Sequence, residues 1–281
     1  MRISATTINE MKRLLTYFVA IVAVATLAAA CDGVQQALKT NDPQYAYEQA
    51  LKFYGEGKWK QASDLFTACR HIYQGSPRED SLSFYNARCK FKERSWDEAA
   101  TMLDDFRRKF GRSGFIEDAE GMFALCHFYM SPEPQRDQTV TTQAIIAITE
   151  FISRYPNSDK VDEFEEMLDT LTKRLMEKSY QNAYTYFKIG RYKSAIVAFK
   201  NALKKYPDTP RKEDIMYYTA VAAYRLAANS VESKQTDRYL AALDSYYSFI
   251  AEYPESKRCK ELGNIADNCR DFLDKNRETT K

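Results

Sequence analysis

Cys31 is the residue of this chain whose surroundings give it a defined chemistry. It follows Ala28, Ala29 and Ala30, which close an apolar run from Leu14 interrupted by only two threonines, and Lys12 and Arg13 precede that run. A positive start, an apolar stretch and small residues at its end are the pattern of a cleavable secretory signal. A cysteine directly after the small residues is where bacterial lipid-modified proteins are cut, and where the new amino-terminal cysteine carries lipid. Met11 reads as the start of translation, because Met11-Lys12-Arg13 leads straight into the run. The alternative is an uncleaved anchor, for which seventeen residues rich in alanine are short, a spanning helix taking about 20. The strongest lipid-attachment pattern has Leu three residues before the cysteine. Here Ala28 holds that position and Leu27 lies one further back.

Other reactive side chains form no constellation. Cys69, Cys89, Cys126, Cys259 and Cys269 remain after Cys31, an odd number with no CxxC pair. Cys259 and Cys269 are ten residues apart, about 15 Å along one helix, too far for a disulfide. These thiols read as small buried residues of helix packing. His71 and His127 are isolated, so no metal site is expected, and none of the nucleophile, phosphate-loop or zinc-helix motifs occurs. The acidic residues Asp162, Glu163, Glu165 and Glu166 read as one solvated face of a helix. The sequence therefore reads as non-enzymatic and without a cofactor. Removing residues 1–30 takes away Arg2, Lys12, Arg13 and Glu10. The 41 basic and 39 acidic side chains then become equal in number, and the formal charge falls from +2 to zero. A nucleic-acid binder needs a basic excess, so that class is excluded.

The elements that must position any site are visible as a repeat. Arg154-Tyr155-Pro156-Asn157-Ser158, Lys205-Tyr206-Pro207-Asp208-Thr209 and Glu252-Tyr253-Pro254-Glu255-Ser256 end three segments alike. Ile72-Tyr73-Gln74-Gly75-Ser76 and Lys109-Phe110-Gly111-Arg112-Ser113 are weaker copies. Twelve residues before the position that holds proline in the first three stand Ala62, Ala99, Ala144, Ala195 and Ala242. Four further on stand Phe66, Leu103, Ile148, Phe199 and Tyr246, and three beyond those Cys69, Phe106, Phe151, Ala202 and Phe249. Spacings of four and three place each set on one helix face. An aromatic precedes the alanine by three in four copies (Trp59, Trp96, Tyr192 and Tyr239). Upstream helices show as Ala50 with Phe53 and Ala183 with Tyr186, and Gly57 and Gly190 mark the turns.

This is the tetratricopeptide-repeat pattern. It predicts an all-α fold: a right-handed superhelical solenoid of five helical hairpins with a C-terminal capping helix. Residues 1–30 are a lipoprotein signal peptide, 31–42 a lipidated tether and 43–281 the repeat domain. Its repeats run near 43–77, 78–114, 115–158, 159–209 and 210–256, with the cap at 257–276. Ser131 to Gln138, with two prolines, interrupts the third repeat. Asn229 to Asp237 reads as a longer polar connection in the fifth, and Asp159 to Ile189 as one long helix. Twenty tyrosines and 16 phenylalanines exceed what such a core needs. Tyr45, Tyr47, Tyr54, Phe84, Tyr85, Tyr184, Tyr217 and Tyr218 fall on or near first helices, which line the concave side of such solenoids. Rings with a hydrogen-bonding tip suit extended, aromatic-rich peptide, and they suit packing between helices as well.

A lipid-attachment cysteine, a short tether and five repeats in about 250 residues resemble the BamD family of outer-membrane β-barrel assembly lipoproteins. The likeness is most specific at Arg136-Asp137-Gln138 and the Tyr155-Pro156-Asn157-Ser158 and Tyr206-Pro207-Asp208-Thr209 endings. The resemblance implies an outer-membrane scaffold on the periplasmic side, lipid-anchored (palmitate among the acyl chains) through Cys31. It implies an early groove of Tyr47, Tyr54, Phe84, Tyr85 and Arg88 that meets the aromatic-ended termini of unfolded barrel proteins, Arg88 facing a terminal carboxylate. It implies partners in the periplasmic domains of the barrel insertase, held by repeats four and five, and in other assembly lipoproteins. Relatives often carry arginine before the turn glycine of repeat four, where this chain has Ile189. In some enteric bacteria an aspartate after the lipidated cysteine, here Asp32, retains a lipoprotein in the inner membrane; other lineages do not read it so. The alternative function is a tetratricopeptide lipoprotein for envelope organisation or nutrient-glycan capture.

Overall fold

The computed structural model describes residues 34–40 and 42–279, and Cys31 lies outside them. Every regular element among the described residues is helical. After a short helix at 34–39 they are, in chain order, α1 (Pro43–Gly55), α2 (Trp59–Cys69), α3 (Glu79–Lys92), α4 (Trp96–Lys109), α5 (Ile116–Met130), α6 (Thr139–Arg154), α7 (Val161–Lys188), α8 (Tyr192–Lys205), α9 (Lys212–Ala228), α10 (Glu232–Glu252) and α11 (Cys259–Thr279). They divide into two compact units. The first runs to Met130 and includes Ile146–Phe164; the second holds Ser131–Ile145 and the chain from Glu165 onward. In the first, α1 packs on α2, α2 on α3, α3 on α4 and α4 on α5. In the second, α8, α9, α10 and α11 pack each on the next.

The alanines and large residues of the repeat form the core. Ala62, Ala99, Ala144 and Ala195 are fully buried, as are Phe66, Leu103, Ile148 and Phe199, whereas Tyr246 is only partly buried. Small residues let paired helices approach, and the rings fill the space to the neighbouring hairpin. Asp42 starts α1: its carboxylate accepts from the amides of Gln44 at 2.9 Å and Tyr45 at 3.3 Å, with Pro43 as the first helical residue.

Three hairpin turns share one geometry. Gly57 and Gly190 have φ of 73° and 74°, and Arg94 sits at the equivalent place with φ 61°. The next amide reaches back five residues in each: Lys58 to the Phe53 carbonyl, Ser95 to Lys90 and Arg191 to Tyr186. This closure of a helix end requires the left-handed conformation, which glycine adopts freely and arginine at a cost.

The five segment endings are also one structure. The amides of Tyr73, Phe110, Tyr155, Tyr206 and Tyr253 donate to the carbonyls of Cys69, Phe106, Phe151, Ala202 and Phe249. Ser76, Ser113, Ser158, Thr209 and Ser256 donate their amides back to the ending's aromatic residue, and their carbonyls accept from the residue three ahead. Each hydroxyl then accepts from the amide two residues on, at 3.2–3.4 Å. Three of these hydroxyls donate to an acid near the start of their repeat's first helix: Ser113 to Asp80, Ser158 to Glu117 and Ser256 to Glu213. Serine or threonine is required because its short side chain bonds the local backbone and an acid together.

Two expectations change. Part of the tether is helical: residues 34–39 form helix and Ala37 is 2% exposed in the core of the first hairpin. The polar stretch from Asn229 is largely helix, since α10 starts at Glu232. Gln235 and Arg238 reach back to Ser230; the polarity marks an exposed helix face. The interruption from Ser131 to Gln138 is non-helical and firmly held. Arg174 donates to the Ser131 carbonyl and hydroxyl, Lys178 to the Gln135 carbonyl, and Gln138 to the carbonyls of Glu133 and Arg136.

Candidate peptide-binding surface

In four of the five endings the residue two places after the hydroxyl occupies a recurrent slot over a ring of the preceding first helix; in the third, Lys160 lies beside Gly121 and pairs with Asp118. Arg78 lies over Tyr47, guanidinium carbon 5.7 Å from the ring centroid; Arg211 lies over Tyr180 at 5.2 Å and Arg258 over Tyr217 at 4.6 Å. An acceptor three residues before the ring holds the cation. Gln44 receives Arg78, Glu177 receives Arg211 through Nε at 2.8 Å, and Asp214 receives Arg258. Asp214 also accepts from Arg211 at 3.2 Å, so Glu177, Arg211, Asp214 and Arg258 form a continuous ladder in the second unit. Burial pushes the Glu177 carboxyl up, and the hydrogen bonds from Arg211 and Gln181 outweigh it, leaving its pKa below the ordinary 4.5. The sequence signal for the slot, a basic residue two after Ser or Thr, stands in four of the five endings, with Lys160 the fourth.

The second ending is the exception, and it decides the candidate groove. Phe115 occupies the slot there and stacks on Phe84, centroids 4.6 Å apart and planes at 12°. Phe84 also meets Phe106 at 5.8 Å and is 1% exposed. Its ring is core and presents no face to a ligand, which corrects its place in the expected groove. Tyr47 is also buried, at 8%, between Phe66 and Tyr73, with its hydroxyl 3.2 Å from that of Ser81.

Tyr54, Tyr85 and Arg88 are half-buried and come together. The Tyr54 and Tyr85 rings lie 5.1 Å apart at 67°. Trp59 meets Tyr54 edge-on at 5.1 Å, and Phe66 lies stacked beneath Tyr85 at 6.3 Å and 17°. The Arg88 guanidinium sits 5.9 Å from the Tyr54 centroid, and among the described residues no carboxylate pairs with it. Burial raises the Tyr54 pKa, which the Arg88 charge partly opposes. The cluster offers apolar ring faces, a phenol and a guanidinium: a place for an aromatic side chain beside a carboxylate. Trp59 and Phe66, read in the sequence only as repeat core, complete it.

The remaining candidates sit apart from this cluster. His71 is exposed; His127 is half-buried, and burial lowers its pKa. Cys69, Cys89, Cys126 and Cys269 are buried, and burial pushes the thiols of Cys89 and Cys126 up to about 12. Among the described residues no group of three or more His, Cys, Asp or Glu side chains is placed to hold a metal. No described helix is long and apolar enough to cross a membrane.

The family model described as YfiO, outer membrane lipoprotein, matches residues 39–238. Outer membrane protein assembly factor BamD of Caulobacter vibrioides is 24% identical over 233 residues, 79% of this chain and 74% of that protein. A protein of Aquifex aeolicus, provisionally named outer membrane protein assembly factor BamD, is 23% identical over 251 residues, 88% of this chain and 80% of its own. Among solved structures, the TPR2AB domain of yeast Sti1 in complex with pHSP90 covers 81% of this chain and 98% of its own at 12% identity. Its TM-score of 0.37 is too low for anything to rest on. With the family model spanning most of the helical hairpins, the chain belongs to the YfiO outer membrane lipoprotein family.

Proposed function

We propose that this chain is an outer-membrane protein assembly factor: a lipid-anchored, non-enzymatic scaffold that binds unfolded β-barrel proteins and the periplasmic domains of the barrel insertase. The observation that carries the substrate half is the Tyr54–Tyr85–Trp59 cluster with Arg88 beside it, half-exposed and without a carboxylate partner among the described residues. An aromatic-ended chain with a free carboxylate satisfies both features. Family membership and the two relatives named BamD support the assembly role. Lipid on Cys31, after removal of residues 1–30, places the chain on the periplasmic face of the outer membrane. Tethering raises the local concentration of the cluster where barrels are inserted. Repeats four and five hold the insertase.

Affinity purification of the full-length lipidated chain after mild detergent extraction tests the reading. A barrel insertase and nascent barrel proteins co-purify, and Arg88→Gln lowers the yield of barrel proteins while keeping the insertase. Absence of an insertase among the partners refutes the scaffold role.

A further inference from the structure

The second unit contains a copy of the first unit's aromatic cluster. Phe187, Tyr192, Phe199 and Tyr218 repeat the spacing of Tyr54, Trp59, Phe66 and Tyr85 without a residue's difference. Phe187 and Tyr218 lie 5.0 Å apart at 55°, against 5.1 Å and 67° for Tyr54 and Tyr85. Tyr192 meets Phe187 edge-on at 5.9 Å and 63°, as Trp59 meets Tyr54 at 5.1 Å and 71°. Phe199 stacks on Tyr218 at 6.3 Å and 13°, as Phe66 stacks on Tyr85 at 6.3 Å and 17°. Burial matches too: the supporting phenylalanine is fully buried in each, and the other three rings are half-buried.

Charge separates the two clusters. Arg88 stands 34 residues after Tyr54, and the residue 34 after Phe187 is Val221, 6% exposed. The guanidinium is therefore missing from the copy. The nearby arginines are engaged: Arg211 by Glu177 and Asp214, and Arg258 by Asp214, its unbonded Nη1 shut off from solvent. Tyr184 enlarges the platform, 4.8 Å from Tyr218 and stacked on Phe187 at 6.0 Å and 15°. Lys188 lies over the Tyr184 ring, its Nζ 5.4 Å from the centroid.

We propose that Phe187, Tyr192 and Tyr218 form a second recognition site, which takes an aromatic side chain from within an extended polypeptide and needs no free carboxylate. Half-exposed rings over a rigid buried ring suit such a side chain, and Val221 in place of arginine removes the preference for a chain end. The site extends the proposed function and rests on the reading of the first cluster as a peptide site.

The test uses full-length, detergent-solubilised protein and two fluorescein-labelled peptides, one amidated with a single central phenylalanine, the other ending in phenylalanine with a free carboxylate. Phe187→Leu weakens the amidated peptide about tenfold and Arg88→Gln leaves it within about twofold. A photoreactive phenylalanine analogue at the centre of the amidated peptide gives adducts in α7 to α9 of the unaltered protein, a readout independent of variant folding. Unchanged affinity in a Phe187→Leu protein of unaltered thermal stability, or adducts confined to α1–α3, overturns the proposal. If instead the free-carboxylate peptide ignores Arg88→Gln and Tyr54→Leu while the amidated one still responds to Phe187→Leu, the first cluster's reading fails and the second site stands.

Discussion

Phe84→Ala separates a core ring from a groove wall. The side chain is 1% exposed and sits 4.6 Å from Phe115, 5.7 Å from Tyr85 and 5.8 Å from Phe106. Removing a buried phenylalanine costs about 3–5 kcal/mol through lost transfer energy and the cavity left behind. The stack on Phe115 supplies about 1 kcal/mol of that beyond area. Against a total stability of about 5–15 kcal/mol, the loss is about a fifth or more. With an m-value of about 2 kcal/mol/M in urea, the midpoint falls by about 2 M. Repeat proteins distribute stability through neighbouring contacts, so amide exchange accelerates first in α3 to α5 and lags in α8 to α11. Urea unfolding followed by circular dichroism, with hydrogen exchange by mass spectrometry, measures both. Tyr54→Ala is the contrast: its ring is half-exposed, so it costs about 1 kcal/mol and acts mainly on peptide affinity. A Phe84→Ala protein that unfolds at the wild-type midpoint yet loses peptide binding would refute the slot argument.

Three other outcomes follow from the geometry. Glu177 has a depressed pKa in the folded protein, so the stability it contributes is present above the ordinary carboxylate pKa and is lost as pH falls through the folded value. Thermal melts between pH 6 and 3 should show a steeper loss in the wild type than in Glu177→Gln, and equal slopes would show the ladder contributes nothing. Gly57→Ala costs about 1 kcal/mol or more because φ is 73°, although an added Cβ would meet only the Trp59 ring at 3.7 Å, whereas Arg94→Gly is neutral or stabilising because it relieves the same backbone strain. Chemical denaturation of the two variants decides this, and a Gly57→Ala protein as stable as the wild type would contradict it. Cys31→Ser leaves the helical spectrum and melting unchanged while moving the protein from the membrane to the soluble periplasmic fraction; loss of the fold would show that residue to be structural.

The two aromatic clusters illustrate how far sequence reading reaches. Tyr54 and Tyr85, 31 residues apart, were both recognisable as first-helix rings from the repeat alone. Phe187 and Tyr218 share that spacing, but nothing in the spacing shows that Tyr218 stacks on Phe199 while tilting against Phe187. Ser131 to Gln138 was visible as an interruption; that α7 anchors this segment through Arg174 and Lys178 depends on side chains more than 35 residues away.

What the amino-acid sequence determined by itself is whatever recurs locally: the spacings of twelve, four and three that put Ala62, Phe66 and Cys69 on one face, the glycines of the turns and the hydroxyl of each ending. These follow from helix periodicity and backbone hydrogen bonding, which act over a few residues. The tertiary structure alone decided which rings stay open. Tyr47 and Phe84 occupy the same kind of position as Tyr180 and Tyr217, and each is covered by the residue two places after the next ending: Arg78, Phe115, Arg211 and Arg258. Burial of a ring is set by what another segment lays over it, and that partner lies some 30 to 40 residues further along the chain.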